Sequence, residues 1–494
     1  MLVNLPRWLS RVLLASVAWA GTTLPAAAFE FSDPFGDLAA IPSLQETGRP
    51  CPPTLPERPL NLADVIDTSL CRNPQTASAW ATARSRAAAV GAARSAYLPT
   101  VSGSGSATRT VAGDSTSSSG FGGGEGEGSE FSSSSSGNKT RYSASATLSY
   151  LLFDFGARGA ALDGARALLD AARATRNATL QTVYLSAVTS YYGWVSAEGA
   201  LKAAQEGERA AKESLDAATI REQVGTATRA DRLQAQTAYS QSQLTRVQAE
   251  GALRTSLGTL ANAMGLAANT KLRLAEAPVV SPSADYTEQL DPLVTASIEA
   301  RPDLAAAAAN LRSAESDIDA ARAAGRPSLS ASASQSYTDT GTRTRDTTSV
   351  GLSLSIPIFE GFSTTYRVRG AEAQLEASKA ELERLRNQAT LDVYQAHSEL
   401  TTQTQSVFTA QSLVAAAEES ESVARGRYEA GVGTILDLIN AQSSAADARR
   451  QLVLARSNWA AARTQLAQSV GVLDTARNPD LDTNMTPAAT PTRR

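Results

Sequence analysis

An uninterrupted helical pattern covers residues 363–429, with an earlier counterpart at 157–223, and the centre of the later one, residues 389–420, reads ATLDVYQAHSELTTQTQSVFTAQSLVAAAEES. Apolar residues recur there every seven positions, and a second row of alanines lies four positions earlier, which is the spacing of a coiled-coil seam. The two rows are Val393, Leu400, Val407 and Val414, and Ala389, Ala396, Ala410 and Ala417, interrupted by Gln403. A helix over residues 363–429 would run about 100 Å at ~1.5 Å per residue. A helix of that length does not fit in an ordinary globular core, so we expect it to span a larger structure.

The chain contains one unit twice. Residues 62–74 (LADVIDTSLCRNP) match residues 290–302 (LDPLVTASIEARP), 228 positions later. Residues 231–236 (DRLQAQ) match residues 437–442 (DLINAQ), 206 positions later. A serine- and glycine-rich segment in the first unit accounts for the difference between the two offsets. Each unit predicts a short helix, a second helix, a strand, a loop, a strand, a very long helix, a turn and a returning helix.

This repeat divides the chain into segments. We predict a signal peptide at 1–28, an extended proline-rich segment at 29–59, a first repeat at 60–266, an equatorial linker at 267–289, a second repeat at 290–472 and a tail at 473–494. The first repeat is predicted to hold strands at about 100–112 and 141–153, a long helix at 157–223 and a return helix at 228–264. The second is predicted to hold strands at about 328–338 and 348–358, a long helix at 363–429 and a return helix at 434–470.

The N-terminus indicates export. Arg7 and Arg11 precede the apolar run 12–20, and the small residues 26–28 form a cleavage site; an uncleaved membrane anchor is the alternative. Cys51 and Cys71 could pair in an oxidising compartment, or could be two free thiols. The net charge of −4 provides no basic face for nucleic acid. With one histidine and no complete cofactor, metal or catalytic motif, the sequence predicts no enzyme and no cofactor.

Three segments, at about 142–152, 328–337 and 349–358, alternate small or apolar residues with serine and threonine over about ten residues each, and residues 100–111 are weakly strand-like. A tilted strand of that length crosses a bilayer, with lipid on one face and water on the other. A half-buried strand of a soluble sandwich shows the same alternation. If the strands are in a membrane, four cannot close a barrel, so the chain must form oligomers. Two copies give a narrow barrel of eight strands, and three give a conducting one of twelve.

Each long helix is predicted to end in the same turn, Arg221 to Asp231 in the first repeat and Arg427 to Asp437 in the second. A glycine would supply the left-handed cap, and a threonine would begin the return helix with an aspartate three residues later. The residues of the two turns are Gly225, Thr228 and Asp231, and Gly431, Gly433, Thr434 and Asp437. Helix capping is the simplest role for both aspartates.

Four aromatic residues lie where the strands meet the long helices. They are Phe153, Phe155, Phe359 and Phe362. Their position fits an aromatic girdle at a membrane interface, with ordinary packing as the competing interpretation.

The doubled architecture and the two glycine–aspartate turns resemble the TolC family of outer-membrane channel-tunnels over nearly all of the mature chain. Within the family the chain is most like the type I secretion component for cyclolysin. The resemblance implies an α plus membrane-β fold: a homotrimer in the outer membrane, with a 12-stranded barrel of four strands per chain continued by a long periplasmic α-helical barrel. It also implies a periplasmic adaptor, an inner-membrane ABC transporter and a secreted protein toxin as partners. The alternatives are an efflux duct for drugs and a non-conducting periplasmic coiled-coil adaptor.

The resemblance also implies a gate at the helix tips. By position, Asp231 and Tyr428 match residues whose polar contacts hold the entrance closed, and Asp437 matches an acidic ring that lines it. Two positions depart from the family pattern. The second acidic position is Asn440 here, and the basic tip residue falls on Gly433. Cation binding and a strong closed contact are therefore not implied by the match alone.

Overall fold

The computed structural model describes residues 55–56, 58–110, 139–276, 282 and 290–473. The predicted signal peptide, Cys51, the segment between the first two strands and the tail beyond residue 473 lie outside them. The described residues form eight helices and four strands. In chain order these are α1 (Leu62–Arg72), α2 (Pro74–Ser95), β1 (Thr100–Thr110), β2 (Lys139–Phe153), α3 (Ala157–Gln223), α4 (Arg229–Ala263), α5 (Leu290–Ala300), α6 (Pro302–Ala324), β3 (Ser328–Asp339), β4 (Thr344–Ser355), α7 (Ser363–Glu429) and α8 (Ile435–Val470).

The four strands form one antiparallel sheet in the order β1-β2-β3-β4, so β1 and β4 are its edges. The register places like residues side by side on each face. An apolar row consists of Val101, Leu148, Ala333 and Val350, and the next row, on the opposite face, consists of Ser102, Thr147, Ser334 and Ser349. Hydroxyl groups pair between strands at 2.8 Å for Ser104 with Ser145 and for Ser106 with Ser143. The sheet therefore has one apolar and one hydroxylated face.

The prediction of the fourth strand at 348–358, after a loop at 339–347, is wrong at both ends. Gly341, with φ of 77°, allows a tight turn, so β4 pairs with β3 from Thr344 onward. The far end of β4 is Ser355, which lies opposite Ser328, the first residue of β3. Pro357 has no N–H to donate to a ladder, which is a second reason for the strand to end there.

The long helices α3 and α7 have 67 residues each and turn back into α4 and α8. The predicted seam of α7 is buried, with Val393, Val407 and Ala389 inaccessible to solvent. The two helical hairpins meet where α3 packs on α8. A Cβ atom on Gly199 would lie 2.4 Å from Val453 Cγ1, so the helices can approach this closely only with glycine at that position.

Each pair of short helices docks against the end of a return helix. Gly265 has φ of 71°, and a Cβ atom there would lie 2.5 Å from the carbonyl oxygen of Arg72. Gly471 has φ of 83°, and a Cβ atom there would lie 2.9 Å from the carbonyl carbon of Ala300. The α1–α2 corner and the α5–α6 corner therefore sit on equivalent glycines, and only glycine combines this conformation with this contact.

The strand-to-helix junctions contain consecutive left-handed residues. These are Phe155 (φ 52°) and Gly156 (φ 93°) in the first repeat, and Gly361 (φ 61°) and Phe362 (φ 65°) in the second. The glycine and the phenylalanine have exchanged places between the repeats. In each junction two phenylalanine rings contact edge to face, Phe153 with Phe155 at 4.8 Å and Phe359 with Phe362 at 5.5 Å. All four side chains are exposed, and their interfacial role stays a prediction.

Cys71, in the last turn of α1, is disulfide-bonded. Its predicted partner lies outside the described residues, so the pairing with Cys51 stays a prediction. In the part of the chain that the structure describes, no helix combines the length and the apolar character needed to cross a membrane.

Candidate functional site

The candidate site is formed by the tips of the two helical hairpins, which pack together at the end of the molecule opposite the sheet. A small apolar cluster joins the two tips. Its buried members come from α3, α4, α7 and α8, and they are Ala218, Ala235, Tyr428, Ile435 and Leu438. The predicted tip residues therefore meet in one place, although they are about 200 positions apart in sequence.

Glycines reverse the chain at both tips. Gly225 and Gly431 have φ of 79° and 77°. The next residue in each turn donates its N–H back to the helix, Thr226 to the Arg221 carbonyl at 2.8 Å and Val432 to the Arg427 carbonyl at 3.0 Å. This geometry satisfies carbonyl groups that a helix end leaves without partners.

Gly433 lacks a side chain for a different reason. A Cβ atom there would lie 3.0 Å from both Arg427 Cβ and the Tyr428 nitrogen. A side chain at this position would press on the end of α7, so the turn favours glycine over the basic residue that the resemblance places there.

Both aspartates cap return helices through a reciprocal capping box. Asp231 Oδ2 accepts hydrogen bonds from the Thr228 N–H and hydroxyl, both at 2.8 Å, and Thr228 Oγ1 accepts from the Asp231 N–H at 3.2 Å. Asp437 and Thr434 make the same three bonds at 3.3, 2.8 and 3.1 Å. The predicted capping role is therefore observed in both tips, and any gating role would be an additional one.

Asp437 is exposed, and its local hydrogen bonds favour the charged carboxylate. Hydrogen bonds from the Thr434 hydroxyl and N–H, helped by the charge of Arg427, lower its pKa below the ordinary value of 3.8. Asn440 lies almost one helical turn further along α8 and is also exposed. The outward face of the α8 tip thus presents one carboxylate and one neutral amide, while Leu438 points into the cluster.

Tyr428 is buried between the tips, and burial raises its pKa above 10.0. The guanidinium of Arg221 lies 4.2 Å from the centre of its ring. The Tyr428 hydroxyl has no hydrogen-bond partner among the described residues. Within the described residues, the Tyr428 hydroxyl therefore makes no hydrogen bond to Asp231.

Arg221 is a tip residue to which the sequence analysis assigned no role. Besides stacking on Tyr428, it donates from Nη2 to the Glu429 carbonyl at 3.1 Å, so it links the end of α3 to the end of α7. An ion pair of 2.6 Å between Arg232 and Glu222 closes the first tip. The sequence signal for Arg221 was that arginine occurs at the equivalent positions 221 and 427 of the two repeats. The contact of Arg221 with the other tip, however, depends on how the two hairpins pack.

Comparison with known proteins identifies the group to which this architecture belongs. The sequence matches the outer membrane efflux protein family over residues 65–266 and 293–472. It is 32% identical over 412 residues to Protein CyaE of Bordetella pertussis, an alignment that covers 82% of this chain and 83% of that protein.

Solved structures share the fold at low sequence identity. The outer-membrane channel OprN is matched with a TM-score of 0.69 at 21% identity, over 83% of this chain and 89% of that one. The outer membrane protein VceC of Vibrio cholerae is matched with a TM-score of 0.68 at 19% identity, over 83% and 96%. The chain therefore belongs to the outer membrane efflux protein family, the TolC-type channels of Gram-negative outer membranes, and is a channel and not an enzyme.

Proposed function

We propose that this chain is the outer-membrane duct of a type I secretion system and exports a protein toxin of the cyclolysin type. Three copies close a 12-stranded barrel and a helical tunnel across the periplasm. A periplasmic adaptor joins the helix tips to an inner-membrane ABC transporter, which supplies the energy. Lipid surrounds the apolar face of the barrel.

The main observation in favour of a duct is a sheet with two unpaired edges, which lies at one end of the very long helices. Neither β1 nor β4 has a partner on its outer side among the described residues. In lipid, an unsatisfied backbone group costs several kcal/mol, so an open edge is excluded there. Edge-to-edge pairing of further copies satisfies these groups and continues the hydroxylated face around a lumen.

The similarity to Protein CyaE supports protein secretion as the use of the duct. The family description supports a second candidate, the efflux of small molecules. Protein secretion and small-molecule efflux require the same barrel, so the cargo must be identified by experiment.

Deletion of the gene, with complementation by the intact chain, separates these candidates. Loss of a large protein from the culture medium with unchanged drug sensitivity is the expected result. Increased drug sensitivity with an unchanged set of secreted proteins would favour efflux. Outer-membrane fractionation and heat-modifiable migration test the duct itself, because a periplasmic adaptor would be recovered without detergent and would show no such migration.

For the tips we propose a gate. Contacts between helices that involve Tyr428 and Asp231 hold the tips closed, and three Asp437 carboxylates surround the entrance. Support comes from the burial of Tyr428 between the hairpins and the exposure of Asp437 on α8. The neutral Asn440 makes this ring less acidic than two stacked carboxylate rings would be.

A further inference from the structure

The two faces of the sheet differ in charge as well as in polarity. The hydrogen bonds between Ser106 and Ser143, and between Ser334 and Ser349, fix which residues lie on the hydroxylated face. Because side chains alternate along a strand, Arg141 of β2 and Arg345 of β4 lie on that same face. The register confirms the assignment. Arg345 lies opposite Thr338, which lies opposite Ser143, and Arg141 lies opposite Thr108.

Both arginines lie at the end of the sheet furthest from the helices, and both are exposed. The acidic residues of the same region, Asp339 and Asp346, have the opposite parity and lie on the apolar face. Arg109 also has that parity. Among the strand residues whose side chains are described, the hydroxylated face thus carries two positive charges and no negative charge.

The strand order spaces these charges evenly. Arg141 is on the second strand and Arg345 on the fourth. In a barrel closed by three copies, every second strand therefore carries one arginine. Neighbouring strands lie about 4.8 Å apart, so consecutive guanidinium groups are about 10 Å apart around the barrel. This distance is close to the Debye length of about 10 Å at 0.1 M salt, so their fields overlap.

We propose that Arg141 and Arg345 form a basic collar at the outer mouth of the duct, which attracts anionic solutes and acidic segments of a polypeptide. This inference rests on the proposed trimeric barrel. Guanidinium groups stay charged at all physiological pH values, and rings of arginine or lysine are the usual means of favouring anions in a pore. The collar is positively charged and the Asp437 entrance is negatively charged, so the outer mouth favours anions and the entrance favours cations.

The test uses the purified full-length protein in planar bilayers, with poly-L-glutamate added to the side of the β3–β4 turn. We expect it to block the current, and we expect Arg141→Gln with Arg345→Gln to raise the half-blocking concentration on the order of tenfold. Arg141→Lys with Arg345→Lys keeps the charge and should retain most of the block. Arg109→Gln is the matched control, since it removes an arginine at the same level from the other face.

The outcomes separate this inference from the proposed duct. A wild-type protein that forms no channel contradicts the duct. A conducting wild type that poly-L-glutamate does not block, or a block that survives Arg141→Gln with Arg345→Gln, overturns the collar. The segment between β1 and β2 contains Asp114, Glu125, Glu127 and Glu130. If these acids cancelled the collar, the wild type would show no block, which is the same overturning result.

Discussion

Asn73 and Arg301 make the same hydrogen bond in the two halves of the chain with different side chains. The Asn73 amide donates to the Ala263 carbonyl at 3.1 Å, and the Arg301 guanidinium donates to the Ser469 carbonyl at 3.3 Å. Each donor lies at a corner between short helices, and each acceptor lies two residues before the glycine on which that corner sits. Arg301 additionally pairs with Asp303 at 2.7 Å and Asp392 at 2.9 Å, so the second corner is tied to the long helix α7 by charge.

Removing the Arg301 side chain should therefore cost more stability than removing Asn73. We expect Arg301→Ala to lose about 1.5–3 kcal/mol, because the bonds involve a charged group, and Asn73→Ala to lose about 0.5–1.5 kcal/mol. Arg301→Asn, which imitates the first repeat, should fall between wild type and Arg301→Ala. Thermal unfolding of the detergent-solubilised protein measures the order, and equal losses for both alanine variants would contradict it.

The docking glycines should not tolerate a methyl group. Gly265→Ala and Gly471→Ala combine a positive φ with a clash against the backbone of a corner, so both should lower the melting temperature by several degrees. Gly251→Ala is the matched control. It lies inside α4 with open space around its Cβ position, and there alanine should be neutral or stabilising by up to about 1 kcal/mol. Comparable losses at all three positions would argue against the docking role.

Asp437 should contribute cation preference at the entrance. We expect Asp437→Ala to shift selectivity toward anions in single-channel recordings, because three carboxylates around one throat create a negative potential. Thr434→Ala is the control, since it weakens the same cap and leaves the carboxylate in place. If both variants shift selectivity equally, or neither does, Asp437 is a helix cap only.

The pH dependence of that preference follows from the direction of the pKa shift. The pKa of Asp437 is lowered from 3.8, so the folded protein keeps the charge down to a lower pH than an unfolded chain would. Any stability from the cap is present above pH 3.8 and is lost as the pH falls through the lowered pKa. The selectivity difference between wild type and Asp437→Asn should thus stay constant from pH 8 to pH 5. A difference that disappears near pH 5 would show that Asp437 is protonated there and that its pKa is not lowered in the assembled channel.

The closed tip should loosen when Asp231→Ala is combined with Tyr428→Phe. We expect higher conductance in planar bilayers than for the wild type, and wild-type values would count against a lock. Tyr428→Phe alone distinguishes how the lock is made. The hydroxyl is buried and has no hydrogen-bond partner among the described residues, so we expect this variant alone to conduct like the wild type. Higher conductance would show that the hydroxyl finds an acceptor in the closed channel.

The sequence was sufficient for the fold class because the signals that specify it are long. The heptad seam around Val407, the doubled unit and the serine alternation each extend over ten residues or more, so isolated exceptions such as Gln403 do not obscure them. The predicted bounds of β4 were wrong because the ends of a strand are not set by a long pattern in its own sequence. Strand ends depend on the partner strand, and the alternation through Ile356 and Ile358 continues past Ser355, which pairs with Ser328 at the start of β3.

The capping geometry of Asp231 and Asp437 was also predictable, since it depends on residues three positions apart. The stacking of Arg221 on Tyr428 was not, because it joins residues from different repeats. The bond between Arg301 and Asp392 was not predictable either, because it joins residues 91 positions apart and depends on how a corner sits against α7. Contacts that are local in sequence follow from spacing, and contacts between hairpins do not.

The equal length of α3 and α7 restricts how such a gene can change. A heptad inserted into α3 alone would move its tip away from the tip of α7. We therefore expect insertions in these helices to be retained only when all the helices that pack together lengthen by the same amount. The connections at the far end of the sheet are under no such restriction. Twenty-eight residues separate β1 from β2, and four separate β3 from β4. Variation in size among descendants of this chain should accumulate at the far end of the sheet, while the length of the helical hairpins stays fixed.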